Sequence, residues 1–191
     1  MSETPRIIGL YSPAPGSGKT AVARYLSCHG FTTVSFATPM KEMVRTLLRA
    51  YGLSSDAIHM AMGAAKEEPI PEIGVSARHL CQTLGTEWGR ACIHPEVWVR
   101  AWQRTAEKHL AAGTSVVSDD CRFPNEARTI RALGGELWLI QRPSVMRTTT
   151  HASEGGLDNI TFDHVICNDS SLFSLYEQVA CCLARTQTFA A

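Results

Sequence analysis

A glycine-rich turn near the start of the chain has the residue types that hold the phosphates of a nucleotide. Residues 13–20 read Pro-Ala-Pro-Gly-Ser-Gly-Lys-Thr, which fits the second half of the Walker A pattern. Gly16 and Gly18 let the backbone curl so that successive N–H groups point at phosphate oxygens. Lys19 would then reach the β and γ phosphates, and the Thr20 hydroxyl would be placed on Mg²⁺. The predicted contacts to the nucleotide are Ala14, Pro15, Gly16, Ser17, Gly18, Lys19 and Thr20.

The first position of the Walker A pattern, normally glycine, is Pro13 in this chain. A rigid proline can precede such a turn, because the N–H donors that matter come from residues nearer Lys19. Residues 14–19 are similar to the loop of adenylate-kinase-like enzymes. The turn therefore predicts a binding site for a nucleoside triphosphate.

A second group of residues that could do chemistry is the run Ser118–Glu126, which follows the apolar pair Val116 and Val117. An acid at the end of such a strand is poised beside the phosphate turn. There Asp119 and Asp120 could hold Mg²⁺ through water or orient the attacking oxygen, while Arg122 offers a fork for a phosphate. Lys19, Asp120 and Arg122 are thus predicted to be catalytic. Thr20, Asp119 and Asp120 are the predicted metal ligands.

These residues require a framework of strands that bring their loops together. Strands alternate with helices along the chain, which predicts a central parallel five-stranded sheet covered on both faces. Such sheets bind ligands at the carboxyl ends of their strands, here the loops after Leu10, Phe36, Ser118 and Gln141. The predicted strands are residues 6–11, 31–37, 114–118, 136–141 and 165–167. The predicted helices beside them begin near Gly18 and Pro39 and cover residues 124–133 and 170–185.

The middle of the chain, from about residue 54 to 112, is predicted to be mostly helical, with a polar interruption at residues 66–71. Ser76 is a plausible N-cap for a helix that buries Leu80, Leu84 and Trp88. Pro95 could begin the next helix at its first turn.

Composition limits the remaining possibilities. The 191 residues, 45% of them hydrophobic, are enough for a single globular domain. The 18 basic residues equal the 18 acidic ones, so any anion site must be local. No stretch is long and apolar enough to span a bilayer, which makes the cytoplasm the default location. The seven cysteines have no Cys-x-x-Cys spacing and are predicted to be reduced thiols, buried as small hydrophobic residues.

A phosphate turn alone does not separate kinases from GTPases, ATPases or motors. A GTPase would carry an Asn-Lys-x-Asp-like motif that reads the base, and the sequence contains none. ATPase motors are usually longer and carry an arginine finger for a neighbour.

Further segments make the chain similar to the deoxynucleoside monophosphate kinases of bacteriophages. They are Phe36–Lys41, Ser76–Arg90, Asp120–Glu126 and His151–Glu154, which together with the phosphate turn extend over nearly the whole chain. The resemblance implies a P-loop NTPase three-layer sandwich, a single kinase domain over residues 1–191 with a helical acceptor-binding insertion at about 54–112. Thr38 stands where the family pattern tends to place Asp, so no acidic role is assigned there.

The resemblance also implies how the acceptor nucleotide would be held. Either Arg78 or Arg90 would grip its phosphate, and Lys41 could meet the same group. Trp88 can stack on a base, while Gln82 and Glu87 can hydrogen-bond to a base edge. The implied acceptor residues are Lys41, Arg78, Gln82, Thr86, Glu87, Trp88 and Arg90.

A kinase of this kind also needs a lid whose cations meet the γ-phosphate, and the candidates are Arg142, Arg147 and His151 in a lid-like region at about 142–160. The predicted reaction is in-line transfer of the γ-phosphoryl group of Mg²⁺·ATP to the 5′-phosphate of a deoxynucleoside monophosphate, giving the diphosphate. The product would form in the cytoplasm, that of the host if the protein is phage-encoded. The sequence leaves monomer and homodimer both open.

Two other functions stay open at this point. One is phosphorylation of 5-hydroxymethyluracil in phage DNA, in which Asp120 or Asp119 would take the proton of an alcohol acceptor and DNA would be the partner. The neutral net charge counts mildly against it. The other is a nucleotide-binding module without kinase activity, which would release ADP without a phosphorylated acceptor.

Overall fold

The computed structural model describes residues 4–145, 156–157 and 160–187. The chain divides into two compact units, Met1–Ser35 with Trp102–Ala191, and Phe36–Ala101. No helix in the described ranges is long and apolar enough to cross a membrane.

The first unit is built on a parallel sheet. Its strands lie in the order β2-β3-β1-β4-β5. In this register Ile8 pairs with Val117 on one side and with Glu136 on the other. All five residues of β1 are buried, as expected for the central strand of a sheet with both faces covered. The bounds are β1 Ile7–Tyr11, β2 Phe31–Thr33, β3 Ser115–Ser118, β4 Glu136–Gln141 and β5 His164–Cys167.

Helices cover the two faces of this sheet. Ile8 and Leu10 of β1 lie in one buried cluster with side chains of α1 (Lys19–Ser27) and α7 (Leu172–Gln187). Gly9, on the opposite face because side chains alternate along a strand, approaches α6 (Pro124–Ala132). A Cβ on Gly9 would lie 2.5 Å from Cδ1 of Ile130, so the glycine lets the Ile130 side chain lie directly against the strand. The predicted fold class, an α/β sandwich with a central parallel five-stranded sheet, is confirmed.

The second unit is helical. It contains α2 (Thr38–Ala50), α3 (Ser55–Met62) and α4 (Ala77–Gln82), followed by a π-helix over Thr83–Ile93 and the start of α5 (Val97–Ala111). Ser54 and Ser76 cap α3 and α4, since their hydroxyls accept hydrogen bonds from the N–H groups of Ala57 and His79. The predicted cap at Ser76 is confirmed. The buried cluster of this unit is Val44, Leu48, Ile58, Ala61, Ile70 and Ala77.

The extent of one predicted strand and the burial of one predicted side chain differ from the structure. Strand β2 was expected to reach residue 37 but ends at Thr33. The Val34 carbonyl accepts the indole N–H of Trp102 at 2.8 Å, and helix α2 already begins at Thr38. Burial of Trp88 was also wrong, because its side chain is 42% exposed. Beyond Gln82 the chain is π-helical, so the α-helical spacing on which that burial was predicted does not continue.

All seven cysteines lie in the described ranges and are free. Their burial is predicted correctly only for Cys121, which is 1% exposed, whereas Cys28, Cys92 and Cys181 lie at the surface. Adjacent positions on a helix point in different directions, which explains why Cys181 is exposed while Cys182 packs against the core.

Candidate functional site

The phosphate turn connects β1 to α1 and has the backbone geometry that an anion needs. Gly16 has φ +72° and Gly18 has φ +106°, both in the left-handed region that favours glycine. Gly18 is the N-cap of α1, no side chain caps this helix, and its first turn contains no acidic residue. The positive end of the helix therefore keeps its full attraction for a negative charge.

Side chains hold three carbonyl groups of this turn. The hydroxyl of Ser12 donates to the Ala14 carbonyl at 3.0 Å, and Nη1 of Arg142 donates to that of Gly16 at 3.2 Å. Nδ2 of Asn168 donates to the Ser17 carbonyl at 2.9 Å. The turn is thus fixed by residues that lie far away in the sequence.

These contacts also set the direction of the N–H groups. In a trans peptide the N–H points away from the preceding carbonyl oxygen, and the described chain contains no cis peptide. The N–H of Ser17 therefore points away from Arg142, and that of Gly18 points away from Asn168. Within the described ranges, neither N–H donates a hydrogen bond to a protein acceptor. Both are available to the oxygens of a phosphate.

The side chain of Ser17 supports the same assignment. The residue is 1% exposed, and its Oγ has no hydrogen-bond partner among the described residues. A buried hydroxyl without a partner costs free energy, and a phosphate oxygen would satisfy it. Lys19 and Thr20 follow as the first two residues of α1, Lys19 half-buried and Thr20 exposed. These residues fit a phosphate chain.

Asp119 and Asp120 directly follow β3, and each carboxylate accepts a hydrogen bond from a serine hydroxyl. Ser35 donates to Oδ1 of Asp119 at 2.6 Å, and Ser118 donates to Oδ1 of Asp120 at 3.3 Å. The first contact arises because β2 and β3 are parallel neighbours, so the residues just beyond their ends meet. Carboxylate and hydroxyl oxygens are ligands that Mg²⁺ accepts, and Mg²⁺ usually keeps several waters, so a small set of protein ligands fits it. In the described part of the chain, no cluster of three or more His, Cys, Asp or Glu side chains could hold a metal ion by itself.

Glu126 organises the run that contains Arg122. The residue is 2% exposed, and its Oε2 accepts the backbone N–H of Arg122 at 2.7 Å and that of Phe123 at 3.0 Å. These bonds fix the backbone from which the exposed Arg122 side chain extends. Burial raises the pKa of the nearby Cys121 thiol well above its usual value, and the charges of Glu126 and Asp120 raise that pKa further. Cys121 is therefore a neutral thiol and not a nucleophile.

Sequence reasoning missed two residues of this unit. Asn168 binds the Ser17 carbonyl and also donates its backbone N–H to the Gln141 carbonyl at 2.7 Å. A Cβ on Gly18 would lie 2.6 Å from Nδ2 of Asn168, so the two residues are in close contact. Ser35, which orients Asp119, is the other. The sequence feature that could have identified them is that each is a polar residue just beyond the end of a strand, at the edge where parallel sheets bind ligands.

In the second unit, most of the predicted acceptor residues lie on α4 and the π-helix. Arg78 forms an ion pair with Glu67 at 3.2 Å, and Nη1 of Arg90 donates to the Pro95 carbonyl at 3.3 Å. The ring of the exposed Trp88 is 6.5 Å from that of Trp98. The other members are the half-buried Gln82 and Thr86 and the exposed Glu87.

Lys41 lies on α2, within the same unit. Burial raises the pKa of the Cys81 thiol on α4, and the positive charges of Lys41 and Arg45 partly lower it. These two cations therefore lie close enough to α4 to act on it. Arg45 also pairs with Glu42 at 2.7 Å.

The predicted residues thus fall into two groups, each within one unit. The first unit holds the phosphate turn with Asp119, Asp120, Arg122 and Arg142, and the second holds the acceptor residues. Arg147 and His151, with most of the lid-like region at about 142–160, lie outside the described residues.

Comparisons with known proteins place the chain in a family of nucleotide kinases. The family described as deoxynucleotide monophosphate kinase matches residues 65–179. A putative deoxynucleotide monophosphate kinase of Acanthamoeba polyphaga mimivirus is 32% identical over 192 residues, covering 93% of this chain and 95% of the relative. A deoxynucleoside-5′-monophosphate kinase of Escherichia phage T5 is 27% identical over 110 residues, which are 54% of this chain and 43% of the phage protein.

Among solved structures, dephospho-CoA kinase from Campylobacter jejuni superposes with a TM-score of 0.50 at 12% identity. The match covers 96% of this chain and 98% of that one. At this identity the likeness concerns the fold alone, which agrees with the observed parallel sheet and flanking helices.

Proposed function

Since the chain belongs to the deoxynucleotide monophosphate kinase family and is therefore a nucleotide kinase, we propose that it transfers the γ-phosphoryl group of Mg²⁺-bound ATP to the 5′-phosphate of a deoxynucleoside monophosphate. The observation that carries the triphosphate half is the turn at residues 16–18. There Gly16 and Gly18 have positive φ, and side chains donate hydrogen bonds to the carbonyls of Gly16 and Ser17. The N–H groups of the same two peptides point away from these donors, and helix α1 that follows has no side-chain cap. The choice of a deoxynucleoside monophosphate as the acceptor is supported by membership of the family.

In this proposal the phosphate turn binds the triphosphate through its backbone N–H groups and the buried Ser17 hydroxyl. Lys19 neutralises the β and γ phosphates, and Arg122, Arg142 and Arg147 meet charge that develops during transfer. Thr20, Asp119 and Asp120 would hold Mg²⁺, which when bound neutralises charge on the same phosphates. Ser35 and Ser118 keep the two carboxylates oriented.

The acceptor is bound by the second unit. Lys41 and either Arg78 or Arg90 bind its 5′-phosphate, while Gln82, Thr86, Glu87 and Trp88 contact sugar and base. An oxygen of the acceptor phosphate forms a bond to the γ-phosphorus, and the bond from that phosphorus to the bridging oxygen of ADP breaks. Because the acceptor oxygen is already ionised, no general base is needed, and catalysis depends on positioning and charge neutralisation.

The ion pair of Arg78 bears on which arginine grips the phosphate. Its guanidinium group faces Glu67, whose side chain is 62% exposed. An exposed pair of this kind contributes little free energy, so a phosphate can replace Glu67 as the partner of Arg78.

The free cysteines fit a reducing compartment, so we place the reaction in the cytoplasm.

The proposal is tested by incubating the protein with Mg²⁺ and γ-labelled ATP, and separately with each of the four deoxynucleoside monophosphates or with DNA that contains 5-hydroxymethyluracil. Label in a deoxynucleoside diphosphate is the expected result. Label in the DNA would replace the proposal with the DNA-kinase alternative. ADP without any labelled acceptor would instead indicate a nucleotide-binding module that is not a kinase.

A further inference from the structure

The π-helix over Thr83–Ile93 is unusually long for its kind. It has eleven residues and is the single π-helix in the described ranges. Its pattern continues into His94, whose N–H donates to the Gly89 carbonyl five residues earlier at 3.0 Å. Helices with this i→i+5 bonding are rare and mostly occur as single turns, frequently at functional sites. A segment of this length therefore needs a specific contact that stabilises it.

Trp98 makes that contact. Its indole Nε1 donates to the Gly85 carbonyl at 2.8 Å, and the side chain is 6% exposed. Its ring lies directly against Gly89, where an added Cβ would be 2.5 Å from the nearest ring carbon. Both glycines are buried. The absence of a side chain at Gly89 thus allows the indole to lie against the backbone of the π-helix, whereas the space beside Gly85 is occupied by Met40, whose Sδ would lie 2.7 Å from an added Cβ.

The hydrogen bond of Trp98 favours the π-helical form over an α-helix. In an α-helix the Gly85 carbonyl would accept the N–H of Gly89. Here the indole N–H approaches this carbonyl, and a side chain that inserts into the ladder is one of the recognised causes of such a distortion. In the same segment the Gly89 carbonyl accepts the N–H of His94, whereas in an α-helix it would accept that of Ile93.

This form determines which side chains share a face. Gln82 and Glu87 are five residues apart, and i→i+5 bonding places residues at that separation one turn from each other on the same face. An α-helix of 3.6 residues per turn would place them about 140° apart. These are the two side chains proposed to read the edge of the acceptor base, and both act on the same base only if they lie on one face.

We propose that Trp98 is a positioning residue for acceptor recognition, which holds residues 83–93 in π-helical form and so brings Gln82 and Glu87 to one face. This inference rests on the proposed function. Trp98 need not touch the nucleotide, because it acts through the backbone of the π-helix.

The test replaces the indole without removing the aromatic ring. Trp98→Phe loses the bond to Gly85, and Trp102→Phe is the matched control, since Trp102 lies on the same helix, is 1% exposed and also donates its Nε1 to a backbone carbonyl at 2.8 Å. KM is measured for the deoxynucleoside monophosphate that the unaltered protein phosphorylates fastest, and separately for ATP. Hydrogen exchange of residues 83–93 is measured by mass spectrometry without nucleotide.

For Trp98→Phe we expect KM for the acceptor to rise about fivefold, which corresponds to the net free energy of one buried hydrogen bond. KM for ATP should stay within about twofold, and exchange over residues 83–93 should become faster. Trp102→Phe should lower stability but leave both KM values and the exchange of this segment unchanged. Gly89→Ala disturbs the same contact from the π-helix side, so it provides a second measurement if Trp98→Phe does not fold.

An acceptor KM in Trp98→Phe equal to that of Trp102→Phe, or equal rises in the KM values for acceptor and ATP, would overturn the inference while the proposed function stands. If the unaltered protein phosphorylates none of the four monophosphates, the proposed function fails and this inference falls with it.

Discussion

The phosphate turn and the π-helix are both irregular backbone segments at proposed binding regions, but they are fixed in opposite ways. The turn is fixed by Arg142 and Asn168, which are 126 and 151 residues away from the carbonyls they bind. The π-helix is fixed by Trp98, only 13 residues from Gly85. The geometry of the turn therefore depends on the assembled sheet, whereas the geometry of the π-helix depends on a contact within its own unit. Four predictions test this contrast.

The largest effect is expected at the turn itself. Lys19→Ala removes the cation proposed to neutralise the β and γ phosphates, so kcat should fall by about 10²–10³-fold, the usual cost of one such group. The fold should be unaffected, because Lys19 is in the first turn of α1 and only partly buried. The measurement is the rate of deoxynucleoside diphosphate formation, with thermal unfolding recorded alongside.

Lys108→Ala, at an exposed position of α5, is the control and should retain full activity. Normal turnover in Lys19→Ala would contradict the assignment of the phosphate turn.

The next prediction compares the alkylation rates of cysteine thiols in the two units. Alkylation requires the thiolate, so a raised pKa and burial both slow it. Cys121 of the first unit, buried beside Glu126 and Asp120, should react with iodoacetamide at pH 8 at least about 100-fold more slowly than the exposed Cys92, because it reacts only after local opening. Cys81 of the second unit should react at an intermediate rate, since Lys41 and Arg45 offset part of the effect of its burial.

The rates are read peptide by peptide by mass spectrometry of the folded protein. Fast labelling of Cys121 would show that the strand end carrying Asp119 and Asp120 opens readily. The first unit would then not hold this end of its sheet more firmly than the second unit holds its helices.

A smaller effect concerns Glu126. Glu126→Gln keeps the shape but replaces a buried charged acceptor of two backbone N–H groups with a neutral one. We expect the free energy of unfolding to fall by about 2 kcal/mol. Urea denaturation measures this change, with the exposed Glu72→Gln as the matched control expected to change stability by less than about 0.5 kcal/mol. Equal stability of the two variants would show that Glu126 does not organise this segment.

The smallest effect separates the turn from the acceptor residues. Asn168→Ala removes the donor to the Ser17 carbonyl, so KM for ATP should rise about fivefold while KM for the acceptor stays within about twofold. This is the reverse of the pattern expected for Trp98→Phe. Steady-state kinetics with each substrate varied in turn measure both values, and a rise confined to the acceptor KM would be incompatible with the proposed role of Asn168.

Much of the fold could be predicted from the sequence, because parallel strands buried on both faces are continuous apolar runs. Strand β4 was predicted at its exact bounds, and α6 begins at the predicted Pro124. The phosphate turn was recognisable from its glycines, which the observed φ values explain.

What the sequence did not reveal depends on contacts between distant residues. Nothing in the residues around Asn168 indicates that its amide reaches Ser17, since that requires the order of the strands. The π-helix was equally hidden, because the spacing of Leu80, Leu84 and Trp88 is that of an ordinary α-helix. We attribute the change to the contact of Trp98 with Gly85 and Gly89, which the spacing of these residues does not reveal.

The bond from Asn168 to the Ser17 carbonyl also bears on synthesis of the protein. A ribosome makes residues 12–20 early, but the donor that completes the turn is added about 150 residues later, as the last strand ends. A chain released before that point contains the whole glycine-rich motif without its final anchor. We therefore expect incomplete products to bind ATP more weakly than the finished chain does.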